Sequence, residues 1–117
     1  MAALLDAAAE TRHERERRAE AARAAQEARY ARERELAREK RLDVLARNPE
    51  PLWAEIESLI DSRKPGDYDV AVELLKDLQA LADRDDRAEE FARRFGLLRR
   101  QHHRKPSLIT RFGRAGL

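Results

Sequence analysis

The sequence contains no cysteine, so it has neither a disulfide framework nor a thiolate metal site. Aromatic residues make up only 5% of 117 positions, and no run of 18 or more apolar residues occurs. The first scarcity leaves a core of aliphatic side chains and a few rings. The second excludes a helical membrane span. Glycine and proline number four each, and none precedes Asn48. No Gly-rich phosphate loop is present, and Met1 to Asp6 lacks the basic-then-apolar pattern of a secretory signal. A chain located in the cytoplasm is the default expectation these absences set.

What is abundant is charge, at 41% of residues. The first part is dominated by Ala, Glu and Arg, the composition of a long helix or coiled coil. The net charge of +2 conceals a segregation. Residues 1–47 hold 12 Lys/Arg and 10 Asp/Glu, residues 48–92 hold 5 and 13, and residues 93–117 hold 8 and none. The acidic middle and basic end can neutralise each other within one fold. Alternatively, the basic end faces an acidic partner such as nucleic acid.

From Ala2 to Ala46 nearly every residue is a good helix former, which predicts one helix on the order of 60 Å long. Glu14–Arg18 has favourable four-residue spacing, and Glu14–Arg17, Glu20–Arg23 and Glu35–Arg38 are three apart. Ala21, Ala24, Ala28 and Ala31 form a thin seam that Glu35 and Arg38 interrupt before Leu42 and Leu45. A homodimer through this helix is therefore weakly supported. The expected arrangement is an exposed charged arm, docked on the rest of the chain from about Leu36 to Leu45, with Leu4 and Leu5 free to fray or bind.

Large apolar residues lie almost entirely after Leu42, so the globular part is about 70 residues, a size that folds with little margin. Asn48-Pro49-Glu50-Pro51 ends the first helix. A second, to about Ser62, carries Leu52, Ile56, Leu59 and Ile60 on one face with Trp53 at its edge. A third, with Asp67 as its expected N-cap, presents Ala71, Leu74, Leu75, Leu78 and Leu81. Asp86 and Glu89 have capping-box spacing before a fourth helix with Phe91, Phe95 and Leu98. A final turn from Ser107 groups Leu108, Ile109 and Phe112. The expected fold is all-α: a long N-terminal charged helix (1–47), then a small antiparallel three-helix bundle with a short C-terminal turn (48–117).

Groups that carry chemistry are few. His13 sits in the charged helix, where a solvated position is expected. His102 and His103 are adjacent, so they point about 100° apart on a helix, and a metal pair would need spacing of three or four. No acid lies within 93–117 to join them. Asp83, Asp85 and Asp86 lack the Gly and later Glu of a calcium loop. Ser58, Ser62 and Ser107 stand in no nucleophile-elbow context. Neither catalysis nor a cofactor is expected.

Two resemblances follow from particular residues. Gly66-Asp-Tyr68-Asp-Val-Ala71-Val-Glu-Leu-Leu75 looks like the turn and second helix of one tetratricopeptide-type hairpin. More of the chain is covered by Leu52-Trp53, Tyr68-Asp-Val-Ala71, Leu74-Leu75-Lys-Asp-Leu78, Phe91, Leu98-Arg99, His102 and Lys105-Pro106-Ser107-Leu108-Ile109 to Ala115-Gly116-Leu117. These resemble the C-terminal helical region of actinobacterial SWIM zinc-finger proteins over roughly residues 50–117. The SWIM motif binds zinc through cysteines and a histidine, and this chain has none of those cysteines. The resemblance thus implies a helical region without the finger, and the zinc role passes to no residue here.

The function expected is a helical protein-protein interaction or scaffolding module, with Trp53, Leu108, Ile109 and Phe112 as candidate contacts. For the three tail residues, closure of the chain's own core is the equal alternative. The second reading is non-specific nucleic-acid binding through residues 93–114, with Arg99, Arg100, Arg104 and Lys105 on the phosphate backbone. A membrane-surface role is not expected, because the charged helix lacks large apolar anchors.

Overall fold

A computed structural model of the chain describes residues 2–117, with side chains from residue 9 onward. The side chains of Leu4 and Leu5 therefore lie outside the described residues. The described chain is all-α, with five helices: α1 (Ala2–Arg47), α2 (Glu50–Asp61), α3 (Pro65–Arg84), α4 (Ala88–Gln101) and α5 (Pro106–Arg114). None is long and apolar enough to cross a membrane. The chain divides into two units after Lys40.

In the first unit, every side chain from residue 9 to residue 38 is exposed. Propensity and local contacts hold such a helix, since it buries no apolar face. Glu14 and Arg18 approach to 4.0 Å, and Gln26 Nε2 donates to Tyr30 Oη at 2.9 Å. Leu36 is 61% exposed, so the docking expected from Leu36 onward does not begin there.

The second unit starts at Arg41, before the Asn48 boundary that the prolines suggest. Leu42 is 3% exposed and Leu45 packs on the core, so the last turns of α1 belong to this unit. Arg41 reaches Asp77 at 3.7 Å, and Arg84 Nη1 donates to Asp43 at 2.7 Å, which ties this end of α1 to α3.

Helix α3 is the centre of the bundle, packing against α2, α4 and α5. Ile56, Ile60, Ala71, Leu75, Leu108 and Phe112 are fully buried, and each larger aliphatic among them contributes about 1.5–3 kcal/mol by burial. A run of rings crosses this core. Trp53 and Phe91 have centroids 6.0 Å apart, Phe91 and Phe95 5.9 Å, and Phe95 and Phe112 5.0 Å in an edge contact. Trp53, expected at the edge of its helix face, is buried at the end of that run, because α4 brings Phe91 against it.

The helix ends differ from the sequence expectation in three places. Helix α3 begins at Pro65 with Lys64 as its extended N-cap, so Asp67 lies inside the first turn, where its charge meets the helix dipole. Asp86 does not open α4. Its φ of 57° makes it the left-handed residue after α3, and Arg87 N–H bonds back to Ala82 O at 2.8 Å. Arg87 is the N-cap of α4, with no side-chain cap. Finally, the expected C-terminal turn is the nine-residue helix α5, which ends in a Schellman motif. There Leu117 N–H bonds to Phe112 O and Gly116 N–H to Gly113 O, with Gly116 at φ 76°.

Candidate partner-binding cleft and basic face

The start of α2 is turned by Pro49 and Pro51, which sets Trp53 on its first inward-facing turn. Opposite it, the last turns of α3 place Leu78, Leu81 and Ala82, and the first turns of α4 place Phe91. Ala46, at the end of α1, closes one side. Together they line an apolar cleft of about 130 Å³. Charged residues rim it: Glu50, Asp85, Arg87, Glu90 and Arg94. A broader depression of about 640 Å³ runs along Asp69, Val72, Lys76, Ser107, Arg111 and Ala115, with a lining more polar than apolar and no aromatic ring.

The rim is held by one strong pair. Arg94 Nη2 donates to Glu50 Oε2 at 2.6 Å, with Nη1 bonded to Oε1, and its guanidinium carbon lies 4.5 Å from the Trp53 centroid. The hydrogen bonds from Arg94 hold the Glu50 carboxyl below its ordinary range, against a smaller opposing effect of burial. Reciprocally, the bond to Glu50 raises the affinity of Arg94 for its proton.

The acidic middle and basic end do meet. Besides Arg94–Glu50, Arg111 Nε donates to Asp69 Oδ1 at 2.7 Å, and the Arg111 guanidinium lies 5.9 Å from the Tyr68 ring. His102 is the buried polar residue of the described chain, at 8% exposure. Its Nε2 lies 3.1 Å from Glu57 Oε2, and Lys105 Nζ lies 2.7 Å from its Nδ1. An ammonium can only donate, so Nδ1 accepts and Nε2 carries the ring proton toward Glu57. Neither polar atom of this buried ring is left unsatisfied.

The candidate contacts separate cleanly. Leu108 and Phe112 are fully buried, which decides between their two equal readings for closure of the chain's own core and against partner contact. Ile109 is half-buried against the core, and Trp53 reaches the surface as a wall of the cleft and of a second depression with Ala54 and Leu97. Arg99, Arg100 and Arg104 are exposed and form no ion pair among the described residues, whereas Lys105 is half-buried on His102. Leu97, also on α4, is 55% exposed. Sequence reading missed Leu78, Leu81 and Phe91 as cleft residues. Their helical spacing marked them as apolar, and only the meeting of α2, α3 and α4 shows where that face stays open.

Comparison with family models, curated proteins and solved structures finds no match for this chain.

Proposed function

We propose that the chain is a non-enzymatic protein-interaction module, in which residues 41–117 form the docking body and the exposed helix before them a charged spacer. The observation that carries this reading is the cleft: an aromatic-floored apolar opening with a charged rim. Protein interfaces have that anatomy, with an apolar centre that takes an anchoring side chain and a polar border that excludes water. At about 130 Å³ it accommodates one large apolar side chain of a partner. The likeness of residues 50–117 to the helical region of SWIM proteins agrees with a helical accessory role and adds no chemistry to it. The test is photo-crosslinking from Arg87 on the rim, with Ala46→Trp filling the cleft from its exposed side. Capture of a defined partner that Ala46→Trp abolishes supports the reading, and capture indifferent to Ala46→Trp removes it.

A second reading rests on Arg99, Arg100 and Arg104, which are exposed and have no ion-pair partner among the described residues. They suit a phosphate backbone without base recognition. Three phosphate contacts predict that log affinity falls with log salt at a slope of about −2.7 for duplex DNA. Fluorescence anisotropy with labelled DNA and RNA, with and without Ala at these positions, tests it. Binding absent even at low salt removes this reading.

A further inference from the structure

The acids that the basic segment lacks are supplied by α2. Glu57 and Asp61 lie one turn apart at its C-terminal end, and His102 caps α4. One donor atom from each of the three lies within 4.8 Å of the other two. We propose that Glu57, Asp61 and His102 form a binding site for a divalent transition-metal ion of the zinc class, with water completing the coordination shell.

The spacing of the donors argues for this. Bonds of about 2.0–2.1 Å to one ion place neighbouring ligand atoms about 2.9–3.4 Å apart, for octahedral to tetrahedral angles. His102 Nε2 and Glu57 Oε2 already stand 3.1 Å apart, so an ion is shared once the partly exposed Glu57 carboxylate swings off the line of the ring N–H. Asp61 is exposed and closes the site by rotating its own side chain. Burial holds His102 in place, which reduces the ordering cost of binding. One imidazole and two carboxylates suit a zinc-class ion, and the two negative charges match its two positive ones.

The backbone adds to the attraction. Helices α2 and α4 both end here, and each C-terminus carries about half a negative charge from its unpaired carbonyls. The last turn of α2 carries no basic residue.

Lys105 is the group that opposes the ion. Its ammonium fixes the ring proton of His102 on Nε2, the nitrogen the metal needs. On binding, the ring stays neutral: the proton leaves Nε2 and one is taken up at Nδ1 through solvent. Two donors cannot then face each other, so Lys105 withdraws along its half-exposed stem. The lysine is therefore a competitor that sets the affinity of the site.

Titration of the full chain with Zn²⁺ by calorimetry, and with Co²⁺ by visible absorption, tests this. One ion per chain is expected. Asp61→Asn and His102→Gln should each weaken binding by about tenfold or more, since even the outer partners of such ligands carry that much. Lys105→Met should tighten it, and His103→Gln should leave it unchanged. Asp61 is exposed, so its variant keeps the test decisive if His102→Gln disturbs the fold. Absence of saturable binding, survival of full affinity in Asp61→Asn, loss of binding in His103→Gln, or unaltered affinity in Lys105→Met would each overturn the site.

Discussion

Arg94 grips the carboxylate of Glu50 with two nitrogens while its guanidinium covers the indole of Trp53 at 4.5 Å. One side chain of α4 thereby joins the first turn of α2 twice, once by charge and once over a ring. The contact links residues 44 positions apart.

The pH dependence of this pair has a definite sign. Arg94 lowers the folded-state pKa of Glu50, so the pair stabilises the fold above the ordinary glutamate range. That contribution disappears as the pH falls through the lowered value. The melting temperature of Glu50→Gln should lie below that of the native chain near neutral pH, and the two should converge in acid. Arg94→Ala should cost more than Glu50→Gln, because it also removes the contact over Trp53.

Helix α5 is part of the core. Phe112→Ala should destabilise residues 41–117 by about 3–5 kcal/mol and Leu108→Ala by about 2–5 kcal/mol, measured by urea unfolding. Deleting residues 106–117 should abolish the cooperative transition of this unit. A deletion that leaves the transition intact would mean that Leu108 and Phe112 are dispensable surface.

The point where α1 becomes part of the bundle lies between two leucines. Leu42→Ala should cost about 2–5 kcal/mol, as for a buried leucine. Leu36→Ala, at 61% exposure, should fall within about 0.5 kcal/mol of the native chain. Urea unfolding of both variants checks the difference.

Gly113 in α5 and Gly116 just after it should respond to alanine in opposite directions. A Cβ on Gly113 meets nothing within 4 Å, so Gly113→Ala should raise stability by about 0.5–1 kcal/mol. Gly116 has φ 76° in the Schellman cap, so Gly116→Ala should lower it by about 1 kcal/mol. Thermal melts followed by circular dichroism read both.

Much of this architecture was legible in the sequence because it is periodic. The spacing of Ile56 and Ile60, of Ala71, Leu75 and Leu78, and of Phe91, Phe95 and Leu98 places each on one helix face, and those faces are buried. Prolines marked the breaks between helices, but α3 and α5 start on Pro65 and Pro106 themselves, upstream of the expected Asp67 cap and Ser107 start. Composition left open whether the basic end pairs with the acidic middle or faces a partner; Arg94 and Arg111 do pair, while Arg99, Arg100 and Arg104 form no ion pair among the described residues. The capping of α4 was misjudged because Asp suits both an N-cap and a left-handed residue after a helix, and here the end of α3 claims Asp86. The neighbours of His102 were out of reach for another reason. Glu57 lies 45 residues away, and only the packing of the helices brings it near.

The central claim is that the cleft of Trp53, Leu78, Leu81 and Phe91 receives a partner's apolar side chain. Its most direct test places a photo-crosslinking residue at Arg87 on the rim and, as a control, at Glu73, which lies outside the cleft. The account predicts a discrete adduct with one protein from Arg87, none from Glu73, and loss of the Arg87 adduct in Ala46→Trp. Equal labelling from both positions, or an Arg87 adduct unaffected by Ala46→Trp, would contradict it.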